Sequence, residues 1–495
     1  MLRQEVYDGT LLESGPAVWR TAVANRFSPI MENDAYFDAL ASALSKAKRS
    51  VLVLGWQFDP RTRLDPEAPN DIRRYEIGDQ LKRLVESRPE IEVRLLIWKS
   101  PILIAASQGF YPHKALRLFN KRMVELRLEG VGLLGACHHQ KVVVIDDKIA
   151  FCGGGDIGVD RWDEEGHYSG DPRRCMPSGL IPAPRHEWMS VCDGEAARML
   201  GALARLRWNR ACGEELPIVE TDGDPWPDTV EPAFHNIKLG LSRTDPAVKG
   251  RDEVRENEAL FVESIKRAKS LIYMENQYFT SPLIASAIAE RLAEPDGPEV
   301  VLVSTGRSPS WFDGMTMDTA RAEVLWRLEQ ADVNNRFFAF YPVTTRGDRI
   351  IVHAKMTIID DKLMRIGSSN LNNRSMGLDT ECDLSVEARN EAECLLIRQY
   401  RQHSLGHFIG VSEGDFAQAE QLMGSVGRTV ETFGAKRMKP LGIRKPTRIE
   451  HMFAEWQLGD PMSAHDAWRP WRRRAKTRLM MQKSAAEREA VLLNR

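Results

Sequence analysis

Two stretches of the chain place a lysine two residues after a histidine and repeat the same downstream pattern. HQKVVVIDDKIAFCGGGD begins at His139 and carries Lys141, Asp146, Gly153, Gly154 and Asp156. HAKMTIIDDKLMRIGSSN begins at His353 and carries Lys355, Asp360, Gly367, Ser368 and Asn370 at the same offsets. On a strand, residues i and i+2 project from one face, so each copy offers a nucleophile or acid beside a fixed cation. The apolar or β-branched run that follows in each copy, Val142 to Ile145 or Met356 to Ile359, is the composition of a buried central strand. Asp-Asp-Lys then predicts a hairpin turn into 149–152 or 363–366, and the glycines beyond it allow close backbone approach. His138, beside His139, points to the opposite face and reads as structural.

The elements that must position these pairs also come twice. ENDAYFDALASALSKAKRSVLVLGWQF, 32–58, returns as ENEALFVESIKRAKSLIYMENQYF, 256–279. In the first copy Tyr36, Phe37, Leu40, Ala41, Leu44 and Ala47 fall on one helical face, and Val51 to Trp56 reads as a buried strand. A further apolar run follows each copy, at 93–97 and 300–303. Strands alternating with helices predict an α/β fold with a largely parallel or mixed sheet. A repeat period slightly over 200 residues is too long for a solenoid and suits two whole domains packed about a pseudo-twofold axis. We divide the chain into 1–215 with the first motif, 216–440 with the second, and a basic tail, 441–495.

Composition narrows the function classes. In 495 residues, 68 basic and 70 acidic side chains nearly cancel, so no whole-chain field draws the protein to nucleic acid or anionic lipid. With 43% apolar positions the chain can bury a large core. No apolar run approaches the ~20 residues of a membrane span. The first residues, Met1 to Asp8, lack the apolar stretch of a secretory leader, which predicts a cytoplasmic or peripheral membrane location with leaderless export left open. Seven scattered cysteines without a CxxC pair or ligand-like cluster predict a reducing compartment and no structural zinc.

The doubled motif resembles the signature of the phospholipase D superfamily, His-x-Lys-x4-Asp-x6-Gly-Ser-x-Asn carried twice in one chain. The second copy matches throughout; the first has Gly154 for the serine and Asp156 for the asparagine. The resemblance covers roughly residues 30 to 405 and is greatest to bacterial phospholipase D-type enzymes, through HHQKVVVIDDKIAFCGGGDIGVDRWD and YMENQYFTS. It implies the phospholipase D fold, two similar α/β domains with a mixed sheet flanked by helices in each.

It also implies phosphodiester chemistry. Such a reaction needs a nucleophile, a proton for the leaving alcohol, and positive charge around the phosphoryl oxygens. One imidazole would attack phosphorus to give a phosphohistidine while the other protonates the leaving group. The residues do not break that symmetry; the resemblance makes His139 the nucleophile and His353 the acid, then the base toward water. Lys141 and Lys355, with Ser368, Asn370 and Asp156, would hold the phosphoryl group, so the chemistry calls for no metal or other cofactor. Asp146 and Asp360 complete the catalytic set by signature, although strand-end aspartates can equally organise the turn. Each imidazole needs a carboxylate behind its other nitrogen, and Glu187 and Glu381 are the candidates, against the alternative of ordinary strand-edge carboxylates.

The substrate expected is a phospholipid, with hydrolysis of a head-group diester such as that of phosphatidylcholine, or transfer to an alcohol, as two outcomes of one intermediate. Trp56, Trp162 and Trp311 are candidates for a cage around a choline ammonium. From Arg469 to Arg495 there are nine basic and two acidic residues, preceded by Trp468 and including Trp471, which reads as a lipid-surface segment or a solvated helical tail. Competing readings are a phosphatidylserine or cardiolipin synthase-type phosphatidyltransferase, a nuclease, which the near-zero net charge disfavours, and a non-catalytic scaffold, disfavoured by two intact His-Lys pairs.

Overall fold

A computed structural model of the chain describes residues 10–13, 15–67, 75–101, 114–119, 124–133, 135–463, 469, 471–475 and 478–479. Met1 to Asp8, Trp468 and 480–495 lie outside the described residues, and with them the leader reading and most of the basic segment 469–495.

The first half contributes β1 (Arg20–Met31), β2 (Ser50–Gly55), β3 (Glu92–Trp98), β4 (Val124–Glu129), β5 (Val142–Ile145), β6 (Ile149–Gly153), β7 (Arg185–His186) and β8 (Trp188–Asp193). The second contributes β9 (Phe234–Asp245), β10 (Val254–Arg255), β11 (Leu271–Asn276), β12 (Glu299–Ser304), β13 (Phe337–Pro342), β14 (Ile351–Val352), β15 (Lys355–Ile359), β16 (Leu363–Gly367), β17 (Glu381–Glu387) and β18 (Met438–Pro440). The main sheet runs β18-β13-β12-β11-β15-β16-β17-β9-β1-β8-β6-β5-β2-β3-β4. Read outward from the central β9–β1 pair, the two halves have the same order, so the sequence repeat is a repeat of topology. Each half is mixed: β2, β3 and β4 are parallel, as are β11, β12 and β13, while the motif hairpins β5–β6 and β15–β16 are antiparallel.

Local chemistry explains the elements. The helix Asn33–Lys46 buries Tyr36, Phe37, Leu40 and Leu44, and β2, which follows it, is buried along its whole length. The hairpin turns form as predicted, with Asp146, Asp147, Asp360 and Asp361 all at positive φ, a conformation aspartate tolerates. At the end of each hairpin Gly153 and Gly367 admit the next strand: an added Cβ would lie 2.6 Å from the Met189 backbone or 2.0 Å from Asp383.

The halves are joined more intimately than two separately packed sheets would be. β1 and β9 pair antiparallel from Arg20–Leu241 to Phe27–Phe234. One apolar cluster draws Phe27, Trp188 and Leu203 from the first half and Leu241, Leu384 and Phe408 from the second, while two further clusters lie mainly one in each half, Trp226 joining the first and Leu12 and Val18 the second. At the centre the thiols of Cys152 and Cys382 stand 3.7 Å apart.

The segment after residue 440 departs from the expected tail. Leu441 is buried in the second-half core, and the helix Arg448–Trp456 packs on Trp311–Ala331. The buried Asp460 accepts hydrogen bonds from Thr280 and from the backbone of Asn373 and Arg374. Two of the tail's basic residues, Arg474 and Arg478, pair with Glu455. This part of the segment belongs to the fold because its carboxylates and apolar side chains find partners on the second half.

Candidate active site

Both motif histidines line one cavity of about 870 Å³, bordered by loops of both halves. Each imidazole is held from behind by a carboxylate of the opposite half. His139 Nδ1 lies 2.9 Å from Glu381 Oε2 and 3.1 Å from Oε1. His353 Nδ1 bonds Glu187 in the same way. The crossing follows from the strand pairings: β14 runs parallel to β7, pairing Val352 with His186, and His138 bridges Thr380 in the equivalent place. Each histidine therefore follows a residue bridged to the other half, beside that half's glutamate.

The lysines sit beneath the rings. Lys141 donates to the His139 carbonyl at 2.8 Å and pairs with Asp156 at 3.2 Å; Lys355 donates to the His353 carbonyl. Burial, then the Lys141 and Lys355 ammonium groups, hold His139 well below its ordinary range. Burial and Lys355 do the same to His353. Burial raises the Glu381 carboxyl and pushes Glu187 up to about 7. The imidazoles are thus held toward the neutral form, which a nucleophile requires, and the glutamates behind them toward the protonated form. Burial also pushes Lys355 down to about 7.

Several predicted residues do something else. Asp146 and Asp360 are not at the cavity: Asp146 accepts from the backbone N–H groups of Lys48, Arg49 and Ser50, and Asp360 from those of Lys269, Ser270 and Leu271. They tie the hairpin turn to the start of the neighbouring strand, so the catalytic role predicted for them is corrected to a structural one. Ser368 is buried with its hydroxyl donating to Glu381 at 2.5 Å and accepting from the Cys382 N–H at 3.0 Å; it orients the glutamate rather than holding phosphate. Gly154 has no room to do the same, since an added Cβ would meet Glu187 at 2.2 Å. Asp156 accepts from the backbone of Trp56 and Gln57 and anchors Lys141, an arrangement that positions the lysine and would repel an anion placed on it. Asn370 lines the cavity, and its Oδ1 has no hydrogen bond among the described residues.

The tryptophan cage does not assemble. Trp56 lines the cavity, stacked on Trp98 at 5.6 Å, but Trp162 lies in a separate pocket under Arg173 and Trp311 is 77% exposed. Sequence reasoning missed Arg161 and Arg185, which line the cavity and lower His353 electrostatically. Neither falls in the repeated motif, and no periodicity marks it. It also missed Ser375, whose hydroxyl donates to Glu381 at 2.6 Å.

A family model described as cardiolipin synthase, PLD-like domain, matches residues 261–403. Phospholipase D A of Dictyostelium discoideum is 24% identical over 421 residues, 73% of this chain and 33% of that protein. Phospholipase D2 of Bos taurus is 24% identical over 71% of this chain and 48% of its own length. Over these spans the chain is similar to the phospholipase D superfamily. Cardiolipin synthase A of Pseudomonas aeruginosa is 23% identical over 86% of this chain and 72% of its own. The chain thus spans between a third and a half of the length of the two phospholipases. Among solved structures, the phosphatidylserine synthase of Haemophilus influenzae Rd KW20 superposes with a TM-score of 0.53 at 12% identity, covering 84% of this chain and 94% of that one, which bears out the predicted fold. Among the described residues no helix is long and apolar enough to cross a membrane.

Proposed function

We propose that this protein is a phospholipase D-type phosphodiesterase that cleaves a phospholipid head-group diester through a phosphohistidine. The observation that carries the reading is the crossed arrangement, two imidazoles facing one cavity with a carboxylate of the opposite half behind each. His139 Nε2 attacks phosphorus and forms the N–P bond. His353, protonated as the anionic diester enters, gives its Nε2 proton to the departing alcohol as the P–O bond breaks. His353 then takes a proton from water, whose oxygen displaces His139 and releases phosphatidic acid. Lys141, Lys355, Arg161 and Arg185 stabilise the phosphoryl oxygens, and Asn370 adds an amide. Division at 215/216 and 440/441 gives each domain one imidazole and one glutamate, so neither contains a complete pair.

A lipid substrate is favoured by the cavity's rim. Trp311, Phe312 and Met315 are exposed at the start of the helix Trp311–Ala331, where Phe312 and Met317 line the cavity mouth. Aromatic and apolar side chains at such a rim can enter a lipid interface while the cavity receives the head group. The surface contact proposed is transient, and nucleic acid is not the proposed partner.

The second reading, a phosphatidyltransferase, is favoured by the long alignment with a cardiolipin synthase. One experiment separates the readings: phosphatidylcholine or phosphatidylglycerol vesicles with and without an added alcohol, following free head group and lipid products. Choline release, with phosphatidyl-alcohol when the alcohol is present, is expected. Cardiolipin from phosphatidylglycerol without hydrolysis would replace the first reading by the second. Cleavage of nucleic acid without lipid turnover would overturn both.

A further inference from the structure

A second cluster of ionisable side chains lies buried behind the active site, apart from the cavity. Glu32 Oε1, His167 Nε2, His186 Nδ1 and His407 Nε2 all lie within 4.8 Å of one another. Glu32, His167 and His186 are essentially inaccessible, and the His407 side chain is 6% exposed. His167 Nε2 is 3.1 Å from His407 Nε2 and 3.2 Å from Glu32 Oε1, and His407 Nε2 is 3.8 Å from Glu32 Oε1. Donors in a tetrahedron with zinc bonds of about 2.0–2.1 Å are about 3.3 Å apart; the His167–His407, His167–Glu32 and His407–Glu32 separations lie around that value, while His186 Nδ1 bonds Glu32 Oε1 directly, so a cation would take the place of that proton.

The remote nitrogen of every imidazole is already engaged. His167 Nδ1 bonds Asp163 at 2.8 Å, His186 Nε2 bonds Glu275 at 2.6 Å, and His407 Nδ1 bonds the Ser404 carbonyl at 2.7 Å. Donation of a ring N–H to a carboxylate or carbonyl fixes the tautomer and turns the other nitrogen's lone pair inward, as in metal-ligating histidines. Glu275 is fixed in turn by the Trp188 indole at 2.7 Å and by the hydroxyls of Tyr273 and Ser404 at 2.5 Å. His186 lies between Glu32 and Glu275, and His167 between Glu32 and Asp163, so protons hold the cluster together where a cation could replace them. Two of the four residues also hold unfavourable backbone conformations: Glu32 has φ 66° and ψ 153°, and His167 has φ 43°. Conformations of this kind persist where surrounding contacts over-determine them.

From this geometry we infer that Glu32, His167, His186 and His407 form a closed, tetrahedral site for a divalent cation of the zinc class. Three imidazoles and one carboxylate form a zinc donor set, and burial leaves no open position for substrate or water, as in a structural site. The cation would link the first half, which supplies three ligands, to the helix Glu391–Ile409 of the second, which supplies His407. It would also steady the active site. His186 precedes Glu187, its carbonyl accepts from the backbone N–H of His353 at 2.8 Å, and the Glu187 N–H donates to Glu32. The inference is independent of which phosphodiester the protein cleaves.

The test is metal content. Full-length protein without an affinity tag, equilibrated with zinc chloride and freed of excess, should carry one zinc per chain by elemental analysis and lose thermal stability when the zinc is stripped. His407→Gln should cut the affinity by about tenfold or more, whereas His403→Gln, one helical turn away and paired with Glu165, should leave it unchanged. If His407→Gln does not fold, the cobalt-substituted wild-type protein decides: intense tetrahedral bands without thiolate charge transfer are expected. Wild-type protein that retains no zinc, a folded His407→Gln variant that keeps it, or thiolate charge transfer with cobalt would each overturn the assignment.

Discussion

At the scale of single residues, the account divides the site into groups that meet the substrate and groups that aim them. His139→Ala and His353→Ala should each lower kcat on a choline diester by about 10³-fold or more, measured as choline release. Glu381→Gln and Glu187→Gln leave ring positions intact but remove the charge behind them, and a fall on the order of 10²- to 10⁴-fold in kcat with little change in KM is expected. The pH dependence follows from the lysine. Burial lowers Lys355 to about 7, so its positive charge is present below neutrality and lost as the pH rises. With His139 needed neutral and His353 protonated, and both held low by burial, kcat/KM should peak below the ordinary imidazole range and be lost by about neutrality, where Lys355 also gives up its charge. A profile still rising well above neutrality would count against Lys355 as an oxyanion-binding cation. The His and Lys pairs were legible in the sequence because the same spacing occurs twice. The crossed glutamate partners were named there, but their pairing was not, because each bond joins residues more than 160 positions apart.

At the scale of elements, the signature aspartates show how a repeated residue can serve folding. Asp146 holds three backbone N–H groups between β2 and its preceding helix, and its carboxylate is buried. Asp146→Ala should cost about 3 kcal/mol of stability, read by denaturant unfolding, while activity per folded molecule stays near that of the unaltered protein. Loss of activity at full stability would return Asp146 to the catalytic set. Sequence spacing alone could not separate these roles, since the motif fixes offsets along the strand but not which end faces the cavity. The helix at the rim carries a second prediction. Trp311→Ala with Phe312→Ala should slow turnover on vesicles several-fold and leave a soluble short-chain diester unaffected; equal loss on both substrates would remove the interfacial role.

At the scale of the whole molecule, two half-sites become one because the sheets join at β1 and β9 and a shared apolar layer packs between them. The fold class and the repeat were legible from periodicity and self-similarity. The continuity of the sheet, the docking of the segment around Asp460 and the buried Glu32–histidine cluster were not, since each depends on contacts between distant segments. The central claim, that imidazoles of the two halves divide one reaction, is tested most directly by a covalent intermediate. A phosphodiester labelled in its phosphoryl group and bearing a p-nitrophenol leaving group, which needs no protonation, is mixed with His353→Ala protein and the labelled peptide is mapped. The account predicts a burst of p-nitrophenol, one phosphoryl group on His139, and no burst from His139→Ala. Label on another residue, or turnover of the choline ester by His353→Ala at the unaltered protein's rate, would contradict it.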